Sequence, residues 1–271
     1  MAEDSDQLTM RLEPPLPRLP AGLRPMLARP LPEPFDSAGH LFEPMWGGAR
    51  ALAMIGPAEV AGTGEVALIA EDGTRGPAPL DLAGLAMRID ARSAVLDGEI
   101  VVVDDAGKLD REELGRRLLG ATGRPLSYLA FDLLHLDGRS LLNLSLDRRR
   151  HLLRQVLRPG DEVVAVPAIN TEGKALFEAV SGQGLYGIRA RQRESPYLPG
   201  VRSRLWRSVA VGGWAEPSAA GVAGAGMAGG EGGADLFGEP AEAPGELLGP
   251  APRSERVLAL IRRLPLEFDE D

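Results

Sequence analysis

The sequence contains no cysteine, and only two of its 30 basic residues are lysines, Lys108 and Lys174. Without cysteine there is no disulfide framework, zinc–thiolate site or thiol nucleophile, and redox chemistry gives no clue to compartment. Any chemistry that needs a lysine amine has those two candidates alone. Long apolar runs are also missing: none approaches the roughly 20 residues that span a bilayer. The start, MAEDSDQ, is acidic and polar, unlike a secretory signal. A cytoplasmic protein with no membrane association is expected. The three histidines, His40, His135 and His151, are far apart and lack ligand spacing, so no metal site is expected from them.

Glycine and proline, by contrast, are abundant: 34 and 23 of 271 residues, about a fifth of the chain against an average near 12%. Their placement divides the sequence. Eight prolines fall between Glu13 and Phe35, each fixing its own φ and biasing its predecessor away from helix, so residues 1–35 read as an extended, irregular leader. Residues 36–211 have the composition of a folded domain. Strands are expected at about Leu41–Glu43, Arg50–Ile55, Val66–Ala70, Ala94–Val103, Leu126–Leu134, Val163–Val166, Gly187–Arg191 and Leu205–Val211. Helices are expected at Leu80–Arg88, Arg111–Leu119, Leu146–Leu157 with Ser145 as N-cap, and Gly173–Gly182. The strand from Ala94 is apolar on both faces except at Asp97 and Glu99, carboxylates that must be paired, metal-bound or at a cleft.

Residues 212–252, rich in Gly, Ala, Pro and Glu, read as a disordered linker. Val257, Leu260, Ile261 and Leu264 then recur at helical spacing, so 253–266 reads as a short amphipathic helix. Charge follows the same division: residues 212–271 hold 11 acidic and 4 basic side chains, leaving 28 and 26 before them. The domain is therefore near neutral, which gives no electrostatic case for DNA binding. An arginine stripe at Arg189, Arg191, Arg193, Arg202, Arg204 and Arg207 could face one side or several.

Five segments occur in a recognisable order. They are Glu43-Pro-Met-Trp-Gly-Gly-Ala-Arg50, Asp97-Gly-Glu99, Phe131-Asp-Leu-Leu134, Tyr186-Gly-Ile-Arg-Ala-Arg191 and the run from Ser195 to Trp206. Together they resemble the adenylation domain of ATP-dependent DNA ligases of the bacterial repair type. The resemblance implies an α+β nucleotidyltransferase fold, mixed β-sheets with flanking helices around a cleft. Residues 212–271 are too few and too low in complexity to supply the family's OB domain.

The departures from the family pattern are specific. Met45 stands where E-x-K-x-D-G-x-R places the nucleophilic lysine, and a thioether has no amine to attack the α-phosphate. Gly47 replaces the motif aspartate, Tyr186 the acidic residue implied to help hold metal, and Arg191 the lysine of the fourth motif. Ser208 and Ala210 replace the last two lysines. Catalytic residues are therefore expected to be absent. Glu43, Arg50, Glu99, Phe131 and Arg191 keep the family's nucleotide-binding positions. ATP with Mg would be the cofactor if that pocket still binds; otherwise the three charged residues Glu43, Arg50 and Glu99 form an ion-pair network and Phe131 is core. In the tail, Asp235-Leu236-Phe237 resembles peptides that dock on the sliding clamp. The expected function is a catalytically inactive pseudo-ligase that binds or scaffolds in DNA repair. Two alternatives stay open: an active ligase using a non-family lysine, and a nucleotide or DNA-end sensor.

Overall fold

The computed structural model describes residues 15–104 and 108–213. The tail peptide at Asp235, Leu236 and Phe237, the linker and the helix expected at 253–266 lie outside the described residues. Two sheets form the described part. The first has the order β1 (Leu27–Pro30), β12 (Arg202–Ala210), β11 (Gly187–Gln192), β2 (Ser37–Pro44) and β10 (Ile169–Thr171). The second runs β5 (Arg75–Pro77), β4 (Val66–Ala70), β3 (Ala49–Ile55), β6 (Ala94–Val102), β7 (Leu126–Leu136) and β8 (Arg139–Ser140), with β9 (Val163–Ala165) parallel to β7. Four helices flank them: α1 (Leu80–Ala83), α2 (Arg111–Leu118), α3 (Leu146–Val156) and α4 (Gly173–Gly182). The class is α+β.

Alternation along the strands decides what faces what. On β3 and β6, Ala51, Ala53, Ile55, Leu96, Ile100 and Val102 turn to a core shared with Leu82, Leu85 and Leu153. Their neighbours Arg50, Leu52, Val95, Asp97 and Glu99 occupy the alternate positions, which face the other sheet. Gly98 sits between the two carboxylates because the first core comes too close for a side chain: a Cβ there would lie 2.5 Å from Leu129 O and from the Tyr128 ring. On the first sheet, Phe42, Ile188, Ala190 and Val209 pack with Leu176 and Val180 of α4. The opposite positions, Glu43, Arg189, Arg191 and Trp206, are thereby aimed at β6 and β7.

Several local expectations needed correction. The helix expected at Leu80–Arg88 breaks after one turn, at Gly84, and continues as a 3-10 turn over Gly84–Arg88; glycine is a weak helix residue. Ser145 stands at the N-cap of α3, as expected, but its side chain makes no capping hydrogen bond. Asp110 caps α2 instead, its Oδ1 accepting from Glu113 N at 2.9 Å. The proline-rich stretch is built into the domain from Leu23 onward. Leu23, Met26 and Ala28 are core residues packed with Leu52, Tyr197 and Trp206, and β1 pairs in parallel with β12. Proline at strand ends allows this: Pro25 precedes the strand and Pro30 is its last paired position, opposite Ser208. None of the described helices is long and apolar enough to cross a membrane.

Candidate functional site

The two sheets bring Glu43, Arg50, Glu99, Phe131 and Arg191 into one buried cluster between β2, β3, β6, β7 and β11. Its centre is the Phe131 ring. The Arg191 guanidinium carbon lies 4.0 Å from the ring centroid and that of Arg50 4.5 Å from it. Arg191 is also 4.6 Å from the Trp206 ring, so its planar head lies against two aromatic faces.

Each charge in the cluster has a partner from this chain. Arg50 donates to both oxygens of Asp97, from Nε at 2.7 Å and from Nη2 at 2.6 Å. Tyr197 Oη donates to Asp97 Oδ2 at 2.8 Å and accepts from Met26 N at 2.8 Å. Burial alone would lower the Arg50 pKa, but the Asp97 charge and hydrogen bonds outweigh it and hold the guanidinium well above its usual range. Glu43 is engaged through both oxygens: Oε1 accepts from Arg150, and Oε2 lies 2.9 Å from Arg191 Nη1. Arg150 also donates to Phe131 O at 3.0 Å and Val166 O at 2.6 Å. Glu99 faces Arg189, with Oε1 3.7 Å from Nη2.

Arg191 is the poorly satisfied member. It is fully buried, and its three guanidinium nitrogens have no hydrogen-bond partner, because the contact to Glu43 is close but misaligned. Desolvation pulls its pKa down to about 10, and the nearby Arg189 and Arg50 charges add to the fall, with Glu43 opposing. At neutral pH it remains a cation whose surroundings are mainly ring faces.

The positions where the ligase resemblance departs are also buried or blocked. Met45 is 2% exposed and its backbone N donates to Gly187 O at 2.8 Å. Gly47 adopts φ +73, and a Cβ on it would run into the Tyr186 ring at Cε2 and Cδ2. The Tyr186 ring also carries Arg111 on its face, 4.8 Å from the centroid. The two losses are therefore one event in space: the tyrosine fills the volume that an aspartate at 47 would need. Lys108 and Lys174 are exposed. Lys108 belongs to the turn after β6, its backbone N bonded to Asp104 Oδ1, and Lys174 starts α4 with its backbone N on Asp36 Oδ1.

The groups present do not fit an adenine nucleotide with a divalent cation. Phe131 is covered by two guanidinium groups, both Glu43 oxygens are engaged, and the lysine and metal-carboxylate positions are Met45 and Tyr186. Among the described residues no group of three His, Asp or Glu side chains converges on a point.

Asp97, Arg149, Arg150 and Arg189 were not singled out as a set by sequence. One signal was available. The inward face of α3 is Leu146, Arg149, Arg150 and Leu153, a core pattern with two arginines in it. Arg149 is fully buried and clamps Asp132 with two bonds of 2.8 Å. The arginine stripe splits among three places: Arg193 pairs with Asp147, its Nε 2.8 Å from Oδ2. Arg189 and Arg191 enter the cluster, whereas Arg202, Arg204 and Arg207 line an open groove on the outer face with Arg29 and Pro30.

Residues 80–209 match the family described as ATP dependent DNA ligase domain. DNA ligase C1 of Mycolicibacterium smegmatis is 34% identical over 209 residues, covering 68% of this chain and 55% of the ligase. The multifunctional non-homologous end joining protein LigD of the same organism is 32% identical over 138 residues, 48% of this chain and 18% of LigD. The chain therefore spans about a fifth of LigD and about half of ligase C1. A structure of mycobacterial DNA ligase D complexed with ATP and MES superposes with a TM-score of 0.59 at 29% identity, covering 69% of this chain and 60% of that one.

Proposed function

We propose that the protein, whose residues 80–209 match the ATP dependent DNA ligase domain family and whose fold is like that of a mycobacterial DNA ligase D, is a pseudo-ligase, which forms no covalent nucleotide adduct and works by binding in DNA repair. One observation carries the reading: Arg191 lies on Phe131, the ring at the family's adenine position, while Met45 occupies the nucleophile position. Adenylation needs an amine within reach of the α-phosphate, and the only two amine side chains are exposed on turns or helix ends outside the cluster. Loss of a nucleophile alone costs several orders of magnitude in rate. Here the ring face and the carboxylate position are altered as well.

A role in DNA repair is supported by the relatives, whose names include DNA ligase C1 and a non-homologous end joining protein. The binding partner proposed for it is a sliding clamp reached through Asp235, Leu236 and Phe237, and replacing both Leu236 and Phe237 with Ala should abolish recovery of the clamp in a pull-down.

Incubation of the full chain with radiolabelled ATP and Mg or Mn, followed by denaturing electrophoresis, tests the loss of chemistry. No labelled protein band is expected, and millimolar ATP should leave the melting temperature unchanged. A denaturation-resistant AMP band would overturn the reading and point to Lys108 or Lys174.

A further inference from the structure

The outer face of the first sheet carries a feature that the buried cluster does not use. Arg202 and Arg204 alternate with the buried Ser203 on β12, so both project outward. A register break between Ala28 and Arg29 then sets Arg29 opposite Arg207 rather than opposite Arg204. The result is a groove of about 510 Å³ lined by Arg29, Pro30, Arg202, Arg204 and Arg207. Among the described residues, none of these four guanidinium groups forms an ion pair with a carboxylate; Arg202 Nη1 bonds Ala28 O at 2.7 Å and Arg29 Nε reaches Arg202 O at 3.5 Å. The positive field of the groove reaches His40, whose imidazole is held below its usual pKa first by burial and then by Arg207.

Such concentrated positive charge is out of character for a domain that is near neutral, and the chain itself contains the complementary segment. Residues 212–271 hold 11 acidic and 4 basic groups, and Glu267, Asp269, Glu270 and Asp271 place four carboxylates within five positions. We propose that this groove is the docking site of the chain's own acidic segment 267–271.

Spacing and reach support the pairing. In an extended peptide, side chains two apart lie about 6.7 Å apart on one face. That spacing puts the carboxylates of Glu267, Asp269 and Asp271 in a row matching Arg202 and Arg204, which are also two apart on a strand. Arg207 is six residues before Gly213, a distance of at most about 20 Å along the backbone. From Gly213 to Pro252 about 40 residues rich in Gly, Ala and Pro span about 35 Å as a coil, and the helix expected at 253–266 adds about 21 Å. Tethering at that length gives an effective concentration approaching the millimolar range, enough for several weak arginine–carboxylate contacts to hold together. Docked, the segment masks the groove from other polyanions.

The test uses the full chain. Because no cysteine is present, Leu266→Cys provides a single site for a nitroxide label. Amide signals of Arg202, Arg204 and Arg207 should fall below half their intensity in the reduced sample, while those of Val66–Ala70 on β4 stay unchanged. Intensity should return in 0.5 M salt, and in the variant carrying Glu267→Gln, Asp269→Asn, Glu270→Gln and Asp271→Asn. It should also return with Arg202→Gln and Arg204→Gln, exposed changes that leave the fold intact. That tail variant should bind a short DNA duplex several-fold more tightly than the parent. Absent broadening, broadening that persists in the neutralised tail, or equal duplex binding by both chains would overturn the proposal. None of these outcomes bears on whether an AMP adduct forms.

Discussion

The Arg191 guanidinium stacks on Phe131 at 4.0 Å without a single well-formed hydrogen bond to its three nitrogens. An ion buried in this way contributes little, because desolvation cancels most of what the nearby Glu43 returns. Glu43 keeps Arg150 if Arg191 is lost. Arg191→Met, which fills similar volume, should therefore be neutral or stabilising by about 1–4 kcal/mol in chemical denaturation. A loss above about 2 kcal/mol would show that the cation holds the cluster together.

Arg50 is the contrasting case. It makes two aligned bonds to Asp97, which is fully buried. Arg50→Met leaves that carboxylate with Tyr197 alone and should cost about 3–5 kcal/mol. Measuring Arg50→Met and Arg191→Met by the same urea midpoint separates a bonded arginine from a stacked one.

Gly47 and Tyr186 should behave as a coupled pair. Gly47→Asp alone forces a side chain onto the Tyr186 ring from a left-handed backbone, and a loss of about 2–3 kcal/mol is expected. In the Tyr186→Glu background the steric part should disappear. A double-mutant cycle should give a coupling of about 0.5–3 kcal/mol, and additive losses would refute the shared volume.

Asp132 and Arg149 form a wholly buried pair at 2.8 Å, and Arg149 also donates to Ser195 O at 3.0 Å. Burial raises the Asp132 carboxyl above its usual range despite the opposing Arg149 charge. Removing the guanidinium by Arg149→Met should cost about 3–5 kcal/mol, and pairing it with Asp132→Asn should recover part of the loss. Thermal melts of the three variants give the comparison. If the double change were as damaging as the sum, the pair would be irrelevant and packing would account for the losses.

His135 is buried on β7 with Nε2 unpartnered, and burial lowers its pKa below the usual 6.5. The unfolded chain then binds a proton that the folded one refuses, so stability is full above about pH 6.5 and falls as pH drops toward the folded value. His135→Asn removes this contribution. Between pH 7.5 and 5.5 the parent should lose more melting temperature than the variant, with a slope of at most about 1.4 kcal/mol per pH unit from this group. Equal slopes would exclude His135 as the source.

Much of the strand pattern was legible because short-range alternation is a local property. Val66–Ala70 and Gly173–Gly182 matched residue for residue, and the apolar strand carrying Asp97 and Glu99 was found within one residue. What escaped were elements whose existence depends on distant partners. The strand Leu27–Pro30 is made by β12, over 170 residues later, and Ile169–Thr171 by β2, where Ile169 lies opposite Phe42.

By itself the sequence determined the absence of an amine at position 45 and the resemblance of its motifs, those holding Glu43, Arg50, Glu99, Phe131 and Arg191 among them, to ATP-dependent DNA ligases. Those are matters of composition and order along the chain. Only the tertiary structure decided who partners whom: Arg150 meets Glu43 across 107 positions, and Asp97 rather than Glu99 takes the two bonds of Arg50. A buried charge selects its partner by distance and bond angle in three dimensions, and neither quantity is encoded in spacing along one strand.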